Sequence, residues 1–206
     1  EAEAGAEVCL VEIAAGVQEA VGEAWCLVDR ERASSVVAEG PLAGRTLRGL
    51  MLSEQEALLG ATTPDPDGSF PLLIKLIDTR RHLSVQVHPD EATARRMGGE
   101  HAGKDESWLV LEAEEGSEVY LGLAEGVDAR AFAEAGSSPE LVDLLQSHPV
   151  HAGDFVQVPA GTVHAIGGGL LVAEVQQNSD TTFRIYDWDR ADHSGIRRPT
   201  NLDDAL

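Results

Sequence analysis

The sequence contains very little lysine. Lys75 and Lys104 are its only two lysines, and 15 basic residues in all stand against 36 acidic ones, which gives a formal net charge of −21 over 206 residues. Nucleic acids and anionic membrane surfaces repel so acidic a protein, and the composition therefore argues against either as a partner. An anionic ligand would need a few well-placed cations to bind against this field.

Cysteine and long apolar runs are also scarce. Cys9 and Cys26 are the only cysteines, and neither lies in a CxxC or CxxH spacing. Free thiols in a reducing compartment are the expected state, with a single disulfide as the alternative. No apolar run approaches the roughly 20 residues that a spanning helix needs. The acidic start lacks the basic flank of a signal peptide, and we predict a soluble, cytoplasmic protein with no membrane partner.

Short strand-like segments dominate the sequence from residue 72 onward. They are rich in Val, Ile, Leu and aromatic residues, several alternate with a period of two, and Gly, Pro or Asp lie between them. Many short strands with turn signals are typical of a sandwich or a barrel. The predicted strands are 72–78, 83–89, 107–113, 117–123, 154–160, 170–177 and 182–188.

One interruption of this pattern is helical. Residues 126–150 have apolar spacing near 3.6 and contain "SSPE", a helix start with Pro in the first turn, which predicts two short helices inserted between strands. Upstream, residues 8–14 and 22–29 are predicted as short strands. We divide the chain into lead-in strands and a loop at 1–70, which pack on the barrel, and the barrel itself at 71–200.

Three polar stretches contain the candidate functional residues. In "LSVQVHP", Gln86 and His88 alternate with apolar residues and so share one face of a strand. "GKDESW" supplies Lys104 and Glu106, and "GDFVQVPAGTVHA" leads through a turn to His164. Two imidazoles, a carboxylate and an amide form a mixed nitrogen and oxygen set. Such a set suits zinc or a similar divalent ion with one coordination position left open.

Each stretch also has a purely structural explanation. A single His on a strand is more often a surface or hydrogen-bonded residue, and "PAG" alone is a turn. The third stretch favours the metal site, because Gly153, Pro159, Gly161 and His164 match the second sequence motif of the cupin superfamily without a gap.

The first cupin motif is altered. Its usual HxH is here Gln86-Val87-His88, and Glu106 follows 18 residues beyond His88 instead of within a few.

This altered pattern resembles one cupin branch, the short bacterial type I mannose-6-phosphate isomerases. The stretches "LSVQVHPD", "GKDESW", "VPAGTVHAIGGG" and "QQNSDTTFRIYDWDR" are similar to signature stretches of that family, as are "GEAWCLVDRERASSVVAEGPLAGRTL" and "FPLLIKLID" upstream. The resemblance implies a mostly β fold, a cupin-type jelly-roll β-barrel with a short helical insertion. It also implies an aldose-ketose isomerase that interconverts mannose 6-phosphate and fructose 6-phosphate through a cis-enediol. One zinc ion per chain and a small sugar phosphate are its implied cofactor and partner.

The resemblance assigns roles to individual residues. Arg184 matches the active-site arginine, Lys104 the lysine two residues before the zinc-binding Glu, and Glu174 an acidic pocket residue, while Ser84 becomes a candidate sugar contact. From the residues alone, the face of Arg184 could equally be exposed and Lys104 could be a solvated loop lysine. An unpaired Glu174 among apolar neighbours would be costly, which favours a pocket. The implied zinc ligands are Gln86, His88, Glu106 and His164, with Gln86 the weakest.

Two questions stay open at this point. The proton carrier could be Glu174, Lys104, a zinc-bound water or a free His such as His101, while Arg184 and Lys104 could stabilise negative charge or hold the phosphate. The rival function is a non-catalytic sugar-binding cupin or an iron-dependent cupin oxygenase, because two His and one Glu also accommodate iron(II).

The sequence departs from the family in two places. The usual "WGG" is replaced by "CLVEIAAGVQEAV". The short bacterial enzymes also continue past "YDWDR" into a second, smaller β domain, whereas this sequence ends soon after that stretch. Loss of that domain would expose an apolar face, and we predict a monomer or a homodimer.

Overall fold

The computed structural model describes residues 22–98, 101–191 and 194–205. The predicted strand at 8–14, Cys9 and most of the "CLVEIAAGVQEAV" stretch lie outside these residues. Cys26 is a free thiol. Among the described residues, no helix has both the length and the apolar character needed to cross a bilayer.

Twelve strands are found in the described part of the chain. They are β1 (Glu23–Leu27), β2 (Asp29–Arg30), β3 (Ala33–Ser34), β4 (Leu72–Thr79), β5 (Val85–Val87), β6 (Glu106–Ala113), β7 (Glu118–Leu123), β8 (Leu145–Pro149), β9 (Phe155–Val158), β10 (His164–Ile166), β11 (Leu170–Gln177) and β12 (Phe183–Tyr186). The helical elements are α1 (Leu47–Ser53), α2 (Gln55–Leu59), α3 (Glu91–Met97), α4 (Ala129–Ala135), a 3₁₀ helix (Pro139–Leu144) and α5 (Leu202–Ala205).

Ten of these strands form two five-stranded antiparallel sheets. The first has the order β1-β4-β11-β6-β9 and the second the order β12-β5-β10-β7-β8, while β2 and β3 pair separately. The fold is the expected mostly β, cupin-type jelly roll with a short helical insertion, although its strands bond as two sheets rather than one closed barrel. β1, from within the predicted lead-in, pairs with β4 at the edge of the first sheet. The division of the chain at residue 70 stays a prediction.

The strand boundaries follow the alternating pattern most closely where strands are long. β11 has the predicted bounds, and β4 and β6 each differ from prediction by one residue. β8 and β10 were not predicted as strands. β8 is a polar edge strand that pairs only with β7 in the described structure, and β10 has three residues, too few to show a period.

The helical segments show the same dependence on local signals. In the 126–150 segment, the Asp128 side chain caps α4, and Pro139 begins the 3₁₀ helix, but the helical part ends at Leu144. α3 lies within the 18-residue separation between His88 and Glu106. Its start is fixed by Asp90, whose carboxylate accepts a hydrogen bond from the Thr93 N–H at 2.6 Å.

Two apolar cores hold the sheets in place. One lies between the sheets and includes Trp108, Val110 and Val172 of the first sheet with Val119 and Ile166 of the second. The other covers the outer face of the second sheet with the helical insertion. It consists of Val85, Val87, Tyr120, Phe132, Leu141, Leu145, Ala165, Phe183, Ile185 and Tyr186. Because Val85 and Val87 face the insertion, the residues that alternate with them on β5 face the space between the sheets.

The turn from β10 to β11 requires a glycine. A Cβ on Gly167 would overlap the carbonyl oxygen of Glu118, so only glycine permits this close approach. The Thr79 hydroxyl donates to the carbonyl oxygens of Gly167 and Leu170 at 2.7 and 3.1 Å. These contacts fix β10 of the second sheet against the ends of β4 and β11 of the first.

Candidate active site

His88, Glu106 and His164 converge in the space between the two sheets. His88 directly follows β5 and His164 begins β10 in the second sheet, whereas Glu106 begins β6 in the first. All three are buried, and a ligand atom from each lies within 4.8 Å of the others. The Nε2 atom of each His is 3.2 Å from a different oxygen of Glu106. The structure thus brings three of the four predicted metal ligands into one cluster.

Backbone carbonyls set the orientation of both imidazole rings. Nδ1 of His88 lies 2.9 Å from the Thr181 carbonyl oxygen, and Nδ1 of His164 lies 2.8 Å from that of Thr162. A carbonyl can only accept, so each Nδ1 carries a hydrogen and a neutral ring has a free lone pair at Nε2. Both lone pairs then point at Glu106. A His whose Nδ1–H donates to a carbonyl is the usual arrangement in metal sites.

The protonation states of the cluster leave its nitrogen and oxygen acceptors available to a cation. Burial lowers the pKa of His88 to about 4, which keeps its ring neutral at pH 7. Burial alone would raise the pKa of Glu106, but its polar and charged surroundings, with the Lys104 ammonium 2.7 Å away, outweigh burial and hold this pKa well below its usual range. Both carboxylate oxygens are buried without a well-angled hydrogen bond from a described residue. A carboxylate facing imidazole lone pairs is a set of acceptors that fits a divalent ion.

His88 should make the stability of the metal-free protein depend on pH. Its pKa is about 4 when folded and near the ordinary 6.5 when unfolded, so the unfolded chain binds more protons between these values. The free energy of unfolding should therefore fall by about 3 kcal/mol as the pH drops from 6.5 to 4. Urea titrations of chelator-treated protein across this range measure the effect. A His88→Asn variant should lack this component, and equal slopes in both proteins would contradict the expectation.

Gln86 contacts this cluster at His164. It is directly opposite His164 in the sheet, and its amide nitrogen is 3.2 Å from His164 Nε2. Ser84, one step along the same face, is buried, and its hydroxyl donates to the amide oxygen of Gln86 at 3.4 Å. The amide nitrogen cannot bind a cation. Ligation by Gln86 therefore needs the opposite amide orientation and stays a prediction, as does sugar contact by Ser84.

Lys104 is buried beside the His88–Glu106–His164 cluster and is not a solvated loop lysine. Only 3% of the residue is exposed. Its ammonium nitrogen is 2.7 Å from Glu106 Oε2 and 3.1 Å from His88 Nε2. The Lys104 backbone N–H donates to the Pro89 carbonyl oxygen at 3.0 Å, which joins this loop to the segment after β5. A fixed ammonium group therefore stands at the edge of the cluster.

Glu174 faces the same interior space from β11. It lies opposite Trp108 on one side and Lys75 on the other, and all three are buried. The Trp108 indole N–H donates to one Glu174 oxygen at 3.1 Å, and the Lys75 ammonium lies 3.4 Å from the other. Burial, reinforced by the negative charge of Glu106, raises the pKa of Glu174. The pocket-facing position predicted for Glu174 stays a prediction, and the two contacts offset the cost of burying its carboxylate.

Lys75 is the site residue that our sequence reasoning did not place. Its ammonium contacts Glu23 at 3.1 Å as well as Glu174, and it stands 5.5 Å above the Trp25 ring. The sequence did contain a signal, because Lys75 is one of only two lysines and interrupts the apolar run "LLIKLID".

Arg184 and His101 occupy different environments. Arg184 lies opposite Gln86 on β12, half-buried, and its Nη1 donates to the Pro199 carbonyl oxygen at 3.1 Å. Its Nε is buried without a hydrogen-bond partner among the described residues. His101 is exposed, with its ring centroid 5.8 Å from that of Phe183. His164, Gln86 and Arg184 therefore form one row across the second sheet, and His101 stands outside it.

The family model for the catalytic domain of type I phosphomannose isomerase matches residues 6–142. The chain belongs to the type I phosphomannose isomerase family. The cupin-type fold and the four sequence signatures agree with this membership.

Individual members of the phosphomannose isomerase family are similar along most of this chain. A mannose-6-phosphate isomerase of Streptococcus mutans is 40% identical over 188 residues, which are 91% of this chain and 58% of that protein. A probable mannose-6-phosphate isomerase of Bacillus subtilis is 39% identical over 186 residues, 90% of this chain and 57% of its own length. The crystal structure of a Bacillus subtilis mannose 6-phosphate isomerase matches with a TM-score of 0.79 at 36% identity, over 89% of this chain and 57% of the other. The chain thus spans somewhat more than half the length of these relatives.

Proposed function

We propose that this chain interconverts mannose 6-phosphate and fructose 6-phosphate as a metal-dependent aldose-ketose isomerase. The observation that carries the proposal is the buried His88–Glu106–His164 cluster, flanked by two buried lysines and a carboxylic acid of raised pKa. A metal site with cationic and acid-base groups on either side is what enolisation of a sugar requires. Family membership indicates which reaction to expect, and the cluster contains chemical groups that this reaction needs.

Zinc is the metal that we propose for this cluster, one ion per chain. His88, Glu106 and His164 would hold it, with Gln86 as a fourth ligand if its amide turns. When bound, zinc would polarise the sugar oxygens at C1 and C2. Two imidazoles and one carboxylate, with both imidazoles oriented by backbone carbonyls, are a typical donor set for a catalytic zinc site.

The surrounding side chains would transfer the proton, stabilise negative charge and orient the sugar. Glu174 has the raised pKa of a general base, and we assign to its carboxylate the proton that moves between C1 and C2. To Lys104 we assign donation to a sugar oxygen and stabilisation of negative charge on the enediol, because its buried ammonium lies 2.7 Å from Glu106. Arg184 and Ser84 share the interior face of the second sheet with Gln86 and would orient the sugar, with the Arg184 guanidinium directed at an anionic group.

Metal removal tests this proposal. Chelator-treated protein should show no isomerisation of mannose 6-phosphate in a coupled assay, and one equivalent of zinc should restore it. Metal content by elemental analysis and oxygen uptake are measured on the same samples. Iron with oxygen uptake would instead indicate an oxygenase. Sugar binding without turnover in the zinc-loaded protein would indicate a binding module.

The cellular setting of the chain is also a proposal. A free sugar phosphate as substrate supports a cytoplasmic location, and a monomer or homodimer remains our prediction for the oligomeric state. Sedimentation of the purified chain measures the second of these directly.

A further inference from the structure

Four arginines line an open cleft of about 470 Å³ beside β12. We call it the arginine cleft. Its other lining residues are mostly uncharged, and Asp187 is the only acidic one among the described residues that line it. These arginines are four of only 15 basic residues in a chain with a net charge of −21. The four are Arg81, Arg190, Arg197 and Arg198.

Two of the arginines are held rigidly by one aspartate. Asp187 accepts hydrogen bonds from the guanidinium of Arg190 and, at 2.6 and 2.8 Å, from that of Arg198. Arg190 also donates to the His82 carbonyl oxygen at 2.6 Å. Because an arginine presents five N–H donors in a planar fork, these bonds fix each group and leave further donors for a ligand.

The other two arginines are freer to meet a ligand. Arg197 pairs with Asp189 at 2.6 Å, and 66% of its side chain is exposed. Arg81 makes no hydrogen bond or ion pair with the described residues. Counting only described residues, four guanidinium groups and two carboxylates lie at this cleft, which gives it a net positive charge on an otherwise acidic molecule. A dianion approaching the protein would be attracted here and repelled by most of the remaining surface.

The arginine cleft adjoins the active site through Arg184. Arg184 Nη1 donates to the carbonyl oxygen of Pro199, which is itself a lining residue of the cleft. Asn201 binds the backbone of Arg184 on both sides, so the 199–201 segment runs along the free edge of β12. From β10, which holds His164, to β12 is two strand spacings, or about 10 Å. Burial and, after it, the positive charge of Arg198 lower the pKa of Arg184, which shows that the charge of this cleft arginine acts on the Arg184 side chain.

We propose that the arginine cleft binds the phosphate group of the substrate while the carbonyl end of the sugar reaches the His88–Glu106–His164 cluster. This inference rests on the proposed function and adds the residues that recognise the phosphate. Arg190 and Arg198, already fixed by Asp187, provide preorganised donors to the phosphate. Arg81 and Arg197 provide additional donors from exposed side chains. Arg184 lies between the phosphate and the carbonyl end of the sugar. Forked guanidinium groups match the oxygens of a phosphate, so the cleft discriminates phosphorylated from free sugars.

The test uses an Arg81→Gln/Arg197→Gln double variant, because neither side chain is buried or holds another element in place. Inorganic phosphate is titrated into the zinc-loaded protein by calorimetry, and turnover of mannose 6-phosphate is measured separately. We expect phosphate affinity to fall at least tenfold and KM to rise at least tenfold with kcat little changed. An Arg130→Gln variant, which removes an exposed arginine on α4, should behave like the wild type.

The two measurements separate this inference from the proposed function. Unchanged phosphate affinity in the double variant would overturn the inference. Weakened phosphate binding with an unchanged KM would also overturn it, since the cleft would then be an anion site separate from the substrate. A wild-type protein that binds phosphate but does not turn over mannose 6-phosphate would count against the proposed function alone.

Discussion

Glu106→Gln is expected to lose bound metal and all measurable isomerase turnover. Glu106 is the one carboxylate in the cluster, and each of its oxygens faces an imidazole nitrogen at 3.2 Å. Glutamine keeps the shape but replaces one oxygen with an N–H₂ group that cannot bind a cation. We expect zinc affinity to fall by more than about 100-fold, beyond the loss that removal of an outer-shell partner causes. Elemental analysis and the coupled assay measure the two losses.

The same change should also destabilise the metal-free protein. The Lys104 ammonium, 2.7 Å from Glu106, would be left as a buried charge without its nearest partner, at a cost of about 3–5 kcal/mol. Adding Lys104→Met should recover most of this stability without recovering metal. Glu112→Gln, an exposed position further along β6, is the matched control and should change neither property. Metal retained by Glu106→Gln at wild-type affinity would remove Glu106 from the ligand set.

Local patterns in the sequence predicted a sandwich or barrel of short strands, and strand alternation placed Gln86 and His88 on one face of a strand. The grouping of these two residues with Glu106 and His164 came from the match to the second cupin motif and from the family resemblance. Contacts between distant segments were not predictable in this way. That Lys75 would lie beside Glu174 depends on the pairing of β4 with β11, which no local signal fixes.

The elements that the sequence did not predict depend on contacts between segments that are distant in the chain. β8 and β10 are short and derive their strand structure from pairing with β7 rather than from their own composition. The arginine cleft likewise combines Arg81, just after β4, with arginines from residue 190 onward, which come together only when β12 packs on β5. Sequence reasoning identified Arg184 through family resemblance but had no basis for grouping it with the other four arginines.

Glu174→Gln is expected to reduce kcat by about 10²–10⁴-fold while leaving zinc bound, because it removes the proposed general base but no member of the metal cluster. The glutamine oxygen can still accept from Trp108, and Lys75 keeps Glu23 as a partner, so the fold should be preserved. Circular dichroism and metal content confirm that the variant is intact. Turnover within a factor of a few of the wild type would exclude Glu174 as the proton carrier.

The pH dependence of turnover shows whether Glu174 or Lys75 carries the proton. Burial and the charge of Glu106 raise the pKa of Glu174, whereas the Lys75 ammonium lowers it. Since the base must be ionised, kcat should fall as the pH drops through this pKa. Lys75→Met removes the opposing cation, and the acid limb of the profile should therefore move to higher pH. If Lys75→Met instead abolishes turnover at every pH while Glu174→Gln remains active, the proton is carried by the lysine and the carboxylate only positions it.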